Sequence, residues 1–253
     1  MRSTASENVQ STDHARHGRV DACARRSIGH GSAPTFTADG AILAARKGTI
    51  VRFEGSTDPA VVIERDGWEL DAPQPSPTGK HLLYRAMQRN RLELRVRDVG
   101  DGSDRVLLDG DRDRTLTLWA RDETAVYAVV GHDAHWRVLR LPLTHADAIE
   151  LARDIASFAD LELSPGGTQL ALTAASDPAY PTPIHTLYTI DLSSQSVNEY
   201  AIEGGDAREV TWISPDELIV AVRAVPRDGE ATIPATRSLR RVSLATGTTT
   251  AFP

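Results

Sequence analysis

Leu163-Ser164-Pro165-Gly166-Gly167, followed shortly by the apolar run Leu170-Ala171-Leu172, is the stretch on which the reading of this chain turns. Pro165 pre-sets a turn φ and the two glycines tolerate positive φ, so an apolar strand end, a tight turn and a second strand follow in order. The same grammar recurs at Phe36-Thr37-Ala38-Asp39-Gly40, Pro75-Ser76-Pro77-Thr78-Gly79, Trp119-Ala120-Arg121-Asp122-Glu123 and Trp212-Ile213-Ser214-Pro215-Asp216. The first residues of the five copies stand at 36, 75, 119, 163 and 212, so they are 39 to 49 residues apart. Self-similarity at that period marks a repeat architecture.

Outward from each turn the pattern continues. A second apolar run follows as Ile42-Leu43-Ala44, Leu82-Leu83-Tyr84, Ala125-Val126-Tyr127, Leu170-Ala171-Leu172 and Leu218-Ile219-Val220. A third run alternates, as in Leu92-Glu93-Leu94-Arg95-Val96-Arg97, Trp136 to Leu141 and Leu187 to Leu192, and alternation means one face packs more deeply than the other. A fourth short run, such as Val106-Leu107-Leu108 or Thr248 to Phe252, closes the unit. Four strands per repeat with no helix between them predict an all-β fold, a β-propeller of about five four-stranded blades. The blades are expected over 33–66, 67–110, 111–153, 154–205 and 206–253, after a disordered N-terminal segment, 1–32, that is polar and without period. Phe36, Trp119, Leu163 and Trp212 are expected to pack as core beside the axis. No spare strand is evident to close the ring, which leaves two readings: a small or open propeller, or, preferred, part of a larger one.

The Ser-Pro-x-Gly turn with an apolar strand after it, together with the strand end Ile190-Asp191-Leu192-Ser193, resembles TolB-type propeller repeats, a WD-like class. The same repeats occur in the N-terminal propellers of prolyl-oligopeptidase-family peptidases. The resemblance runs from about residue 33 to 253, and Trp119-Ala120-Arg121-Asp122 departs from it by lacking both the Ser-Pro pair and the glycine. It implies a propeller that either binds partners by itself or gates substrate for a separate or missing hydrolase domain.

The 253 residues carry a formal charge of −7 with 40% hydrophobic and 25% charged residues, which suits a folded soluble domain. That charge, with Arg91, Arg95 and Arg97 interleaved among Glu93, Asp98 and Asp101, excludes a basic stripe for nucleic acid. Cys23 is the only cysteine, so no internal disulfide forms. No apolar run is long enough for a membrane span. The polar start lacks a signal peptide, which favours the cytoplasm, or the periplasm if the true start lies upstream.

For chemistry, the connections after the second and fourth strands share one face of a propeller. Two are long: Ala174 to Thr186, with Tyr180 and His185, and Arg223 to Thr236, with Arg227 and Asp228. These residues are the candidate contacts for a protein or peptide partner. His132 and His135 form a His-Asp-Ala-His turn that offers two imidazoles but no evident third ligand, so no metal is expected. Asp109-Gly110-Asp111-Arg112-Asp113 has the start of a calcium loop but Arg114 where glycine is required and no closing Glu. There is no G-x-S-x-G elbow and no phosphate-binding glycine loop ahead of a helix, so no cofactor is expected and the chain is read as non-catalytic on its own.

Overall fold

The computed structural model describes residues 32–55, 58–111, 115–132, 135–144, 146–175, 184–202, 205–225 and 237–252. The N-terminal segment expected over 1–32 therefore lies outside the described residues except for Ser32. Among the described residues, twenty strands form five separate antiparallel sheets, each of four strands in chain order. The first holds β1 (Ser32–Phe36), β2 (Ile42–Arg46), β3 (Thr49–Phe53) and β4 (Ala60–Glu64). The second holds β5 (Glu69–Pro75), β6 (His81–Gln88), β7 (Arg91–Asp98) and β8 (Asp104–Asp111). The third holds β9 (Leu116–Trp119), β10 (Ala125–His132), β11 (His135–Pro142) and β12 (Ile149–Ile155). The fourth holds β13 (Ser157–Leu163), β14 (Gln169–Ala175), β15 (Thr186–Asp191) and β16 (Val197–Tyr200). The fifth holds β17 (Asp206–Ser214), β18 (Glu217–Arg223), β19 (Arg237–Ser243) and β20 (Thr249–Ala251). No helix is present among the described residues. This is a β-propeller of five blades.

The repeated turn owes its shape to one recurring set of hydrogen bonds. The Ser164 amide donates to the Gln169 carbonyl and the Gly167 amide returns to the Ser164 carbonyl, while Ser76 does the same with His81 and Gly79, and Ala120 with Ala125 and Glu123. Both serines are buried, and each hydroxyl oxygen accepts further backbone amides: His81 N at 3.1 Å for Ser76, and Thr168 N and Gln169 N at 3.2 and 3.0 Å for Ser164. A buried serine is thus consumed by the turn rather than left for chemistry. The last residue of the turn sits at positive φ, 83° at Gly40, 76° at Gly79 and 71° at Gly167. In the third blade that place is taken by Glu123 at φ 56°, a conformation that costs an L-residue about 1 kcal/mol. Its carboxylate recovers this by accepting both the amide and the hydroxyl of Thr78 in the second blade.

Successive sheets are joined by apolar contact on both faces. Leu43, Ile50 and Ile63 meet Leu70, Leu82 and Tyr84 between the first and second sheets. Leu83 and Leu94 meet Val126, Leu139 and Leu141 between the second and third, and Tyr127, Val129 and Val138 meet Leu170, Leu172 and Ile190 between the third and fourth. Ala171 and Leu187 then meet Leu218, Val220 and Val222 of the fifth. Each fully buried Leu or Ile in these seams is worth about 2 kcal/mol relative to an exposed one. First strands of neighbouring sheets lie against each other, β1 on β5, β9 on β13 and β13 on β17, which places them along the axis. Trp119, Leu163 and Trp212 pack partly buried as expected.

Phe36 does not: it is 73% exposed. It pairs with Ile42, on the face of the first sheet that carries Ala44, Val51 and Phe53 and is turned away from the second sheet. No hydrogen bond or apolar cluster joins the fifth sheet to the first among the described residues, so the ring is open there. On the fifth sheet the far face leaves Ile213 and Leu239 each 44% exposed, among the ion pairs Arg237–Glu209 and Arg241–Glu217.

Replacing Ser164 by Ala strips two backbone amides of their acceptor and is expected to lower the free energy of unfolding by about 1–2 kcal/mol, read as a shifted urea midpoint at unchanged slope. An unchanged midpoint would show that the hydroxyl is dispensable to the turn.

Candidate functional site

At the end of the sheets where second strands lead to third strands, one polar network ties the fourth and fifth blades. His185 stands just before β15 and Asp206 opens β17; they are 2% and 1% exposed. Asp206 Oδ1 accepts the His185 backbone amide at 2.9 Å and lies 2.8 Å from His185 Nδ1. Its other oxygen accepts Arg208 Nε at 2.6 Å and Arg223 Nη2 at 2.9 Å. The ionised carboxylate only accepts, so Nδ1 carries the ring proton and Nε2 accepts from the Ser157 hydroxyl, 3.1 Å away at the start of β13. The Ala207 amide donates to the His185 carbonyl. Four strand ends are thereby fixed by one carboxylate and one imidazole.

The electrostatics follow from burial. Loss of water pushes the His185 imidazole below its ordinary range, Asp206 pulls it part of the way back, and the two guanidiniums oppose protonation. Burial by itself would raise Asp206, but the His185 amide and ring and the Arg208 charge hold it below the usual carboxylate value. The stable state is a neutral histidine beside an ion cluster of one carboxylate and two guanidiniums. The order serine, imidazole, carboxylate is that of a hydrolytic relay. Burial decides against that use: a catalytic imidazole must reach the leaving group, and this one is enclosed on all sides.

Beside the network lies a cavity of about 430 Å³ between β12 and the fourth sheet. Leu151, Ile155, Leu172, Ala174, Tyr188 and Ile190 line its interior, and Glu150, Arg153 and Asp154 border it on the exposed side. Ala175, also in its wall, pairs across the ladder with Ser157. A bulge in β12, where Arg153 and Asp154 lie between the pairs Trp136–Ile155 and Val138–Ala152, turns this strand's outer end.

Of the residues singled out from the sequence, His185 is brought to this network. His132 and His135 are paired in register at the tip of the β10–β11 hairpin, at the same end of the third sheet, and His135 is exposed. Tyr180, Arg227 and Asp228 lie outside the described residues. Asp109 spends its carboxylate on Arg91, at 2.9 and 2.6 Å, and Asp113 of the calcium-like stretch lies outside the described residues. No group of three metal-ligating side chains occurs among the described residues. No helix there is long and apolar enough to cross a membrane. Ser157, Asp206, Arg208 and Arg223 were not found from sequence, because they meet only through blade packing.

No protein-family model matches the sequence, and no curated protein resembles it closely enough to be a relative. Solved structures resemble its fold. A puromycin-hydrolyzing peptidase of Mycobacterium tuberculosis superposes with a TM-score of 0.65 at 15% identity, over 87% of this chain and 37% of that one. A putative TolB from Agrobacterium tumefaciens gives 0.60 at 13% identity, over 87% of this chain and 79% of that one. An oligogalacturonate lyase in complex with manganese gives 0.63 at 12% identity, over 88% and 65%. At these identities the likeness is one of fold, the TolB-like propeller, and the chain spans little more than a third of the peptidase.

Because burial depresses the folded-state value of His185, the unfolded chain takes up the proton first as pH falls. Stability is therefore full above about pH 6.5 and declines below it by up to about 1.4 kcal/mol per pH unit for this one site. Urea titrations of the native chain and of His185→Gln between pH 7.5 and 5 check this: the variant is expected to be less stable at pH 7.5 and to lose the extra slope. A fluorophosphonate is expected to leave Ser157 unlabelled, and labelling lost in Ser157→Ala would reverse the structural reading of the network.

Proposed function

We propose that this chain is a non-catalytic propeller module that recognises a protein or peptide through the end of the sheets carrying the second-to-third-strand connections. The observation that supports it most is the His185–Asp206 network. A buried ion cluster at the root of a surface holds the strand ends from which both long connections spring, and such a rigid base lowers the entropy cost of presenting loops to a partner. Tyr180, His185, Arg227, Asp228, His132 and His135 all fall, by their place in the sequence, in or beside connections at this end. The mixed charge of the surface suits a protein partner better than a polyanion.

A second reading is favoured by one observation. The likeness to the mycobacterial peptidase covers 87% of this chain and 37% of that one, as a propeller that gates substrate for a hydrolase domain would. On that reading the partner is an α/β-hydrolase carrying its own nucleophile, and the propeller contributes access rather than catalysis.

One experiment separates these. A photo-crosslinking residue placed at Arg237 or His135, at the connection end, is expected to capture a partner, whereas one at Lys80, in the turn at the opposite end, is not. Capture through Lys80 alone would overturn the assignment of the face. A captured partner that reacts with a fluorophosphonate establishes the gating reading, and one that does not supports the binding module.

A further inference from the structure

The cavity between the third and fourth blades is not explained by partner binding at the connection end, and its lining has a definite chemistry. Beneath it lie buried apolar side chains: Leu172 and Ala174 are 1% exposed, Ile190 is fully buried, and Leu151 and Ile155 are 6% and 8% exposed. In the seam between the second and third blades, the fourth strand of the second sheet packs Leu107 and Leu108 against the core. In the third sheet the fourth strand supplies Leu151 and then Ala152. One side chain of leucine size is thus exchanged for a methyl group, and the bulge that follows keeps the strand from closing over the gap. A volume of about 430 Å³ falls within the roughly 300–1,000 Å³ typical of small-molecule sites.

The charges around it are uneven. Two carboxylates and one guanidinium border the cavity. Glu150 is committed: it lies 2.7 Å from Arg153 Nε and 3.6 Å from Arg137 Nη1. Asp154 makes no hydrogen bond or ion pair with any described residue, and the bulge holds it at φ 59° beside the opening. The lining therefore sets buried apolar side chains beside one carboxylate that is not spent on any described residue.

We propose that this cavity binds an apolar group that carries an ammonium, the hydrocarbon lying against Leu151, Ile155 and Val197 above the buried Leu172 and Ile190, and the charge set against Asp154. Two sources share that chemistry: a free hydrophobic amine, and the N-terminal residue of a peptide that begins with a large apolar side chain.

Isothermal titration of the full chain with 3-phenylpropylamine, the neutral 3-phenylpropanol and the anionic 3-phenylpropionate tests the proposal. The amine is expected to bind at least about tenfold tighter than the alcohol, as a charge-assisted hydrogen bond at a partly exposed site supplies, and the acid least of all. Asp154→Asn should bring amine and alcohol to equal affinity while leaving the alcohol unchanged. Ala152→Trp, which fills the chamber, should abolish binding of both; if that variant does not fold, Val197→Trp at the exposed wall takes its place. Equal binding of amine and alcohol to the native chain, no binding of the amine at millimolar concentration, or undiminished binding to a folded filled variant would each overturn the proposal. Phe-Gly-Gly against its N-acetylated form distinguishes the sources. If only the free amine and not the tripeptide binds, the ligand is a small molecule. Loss of tripeptide affinity on acetylation assigns a peptide N-terminus. The outcome is independent of the crosslinking result, because no residue of the cavity is varied there.

Discussion

Everything in this structure follows from sheets that are apolar on both faces. In β6, Leu82 and Tyr84 turn toward the first blade while Leu83 turns toward the third, and all are buried. A single sheet of this kind cannot be stable in water. Stacked in chain order about an axis, each sheet covers its neighbour, and the repulsion of apolar surface from water is resolved at every seam but the two outer ones. There the far face of the fifth sheet has adjusted its composition, carrying arginine–glutamate pairs around Ile213 and Leu239, while the first sheet leaves Phe36 exposed.

The two ends of the blades have been given different work. At the turn end, serine hydroxyls and positive-φ residues close tight connections and bind neighbouring blades: Glu123 accepts from Thr78, and Arg121 donates to the Ser164 carbonyl at 3.2 Å. The turn bonds are local, while the Glu123 and Arg121 bonds tie one blade to the next across more than forty residues of chain. At the other end the joining device is a buried carboxylate shared by an imidazole and two guanidiniums. Such a cluster contributes little net stability relative to an apolar core but is costly to break. It therefore fixes geometry, and the end it fixes is where the long connections arise.

Sequence reading was strong where periodicity and turn chemistry agree. The Ser-Pro-x-Gly copies at Ser76 and Ser164 are local signals, since their hydrogen bonds span only three to five residues. The degenerate third copy is legible from its aromatic residue, its spacing and the apolar run after it, although Glu123 stands in the glycine position. Phe36 carries the same pattern as Leu163, and only the lack of a packed neighbour among the described residues distinguishes it. His185 was noticed for its place in a long connection, but its partners Ser157 and Asp206, 28 and 21 positions away, carry no local signature of their meeting.

The sequence by itself determined the strand order, the blade period, the turns and the all-β class, because each depends on residues within a few positions of one another or on alternation along one strand. Tertiary structure alone decided which serine meets the buried histidine, that Asp206 is shared by His185, Arg208 and Arg223, that a cavity lies beside Ala152, and that no hydrogen bond or apolar cluster closes the ring among the described residues. Those depend on how sheets some forty residues apart in sequence pack face to face, and packing depth is set by the volume of both partners, which no single stretch of chain records.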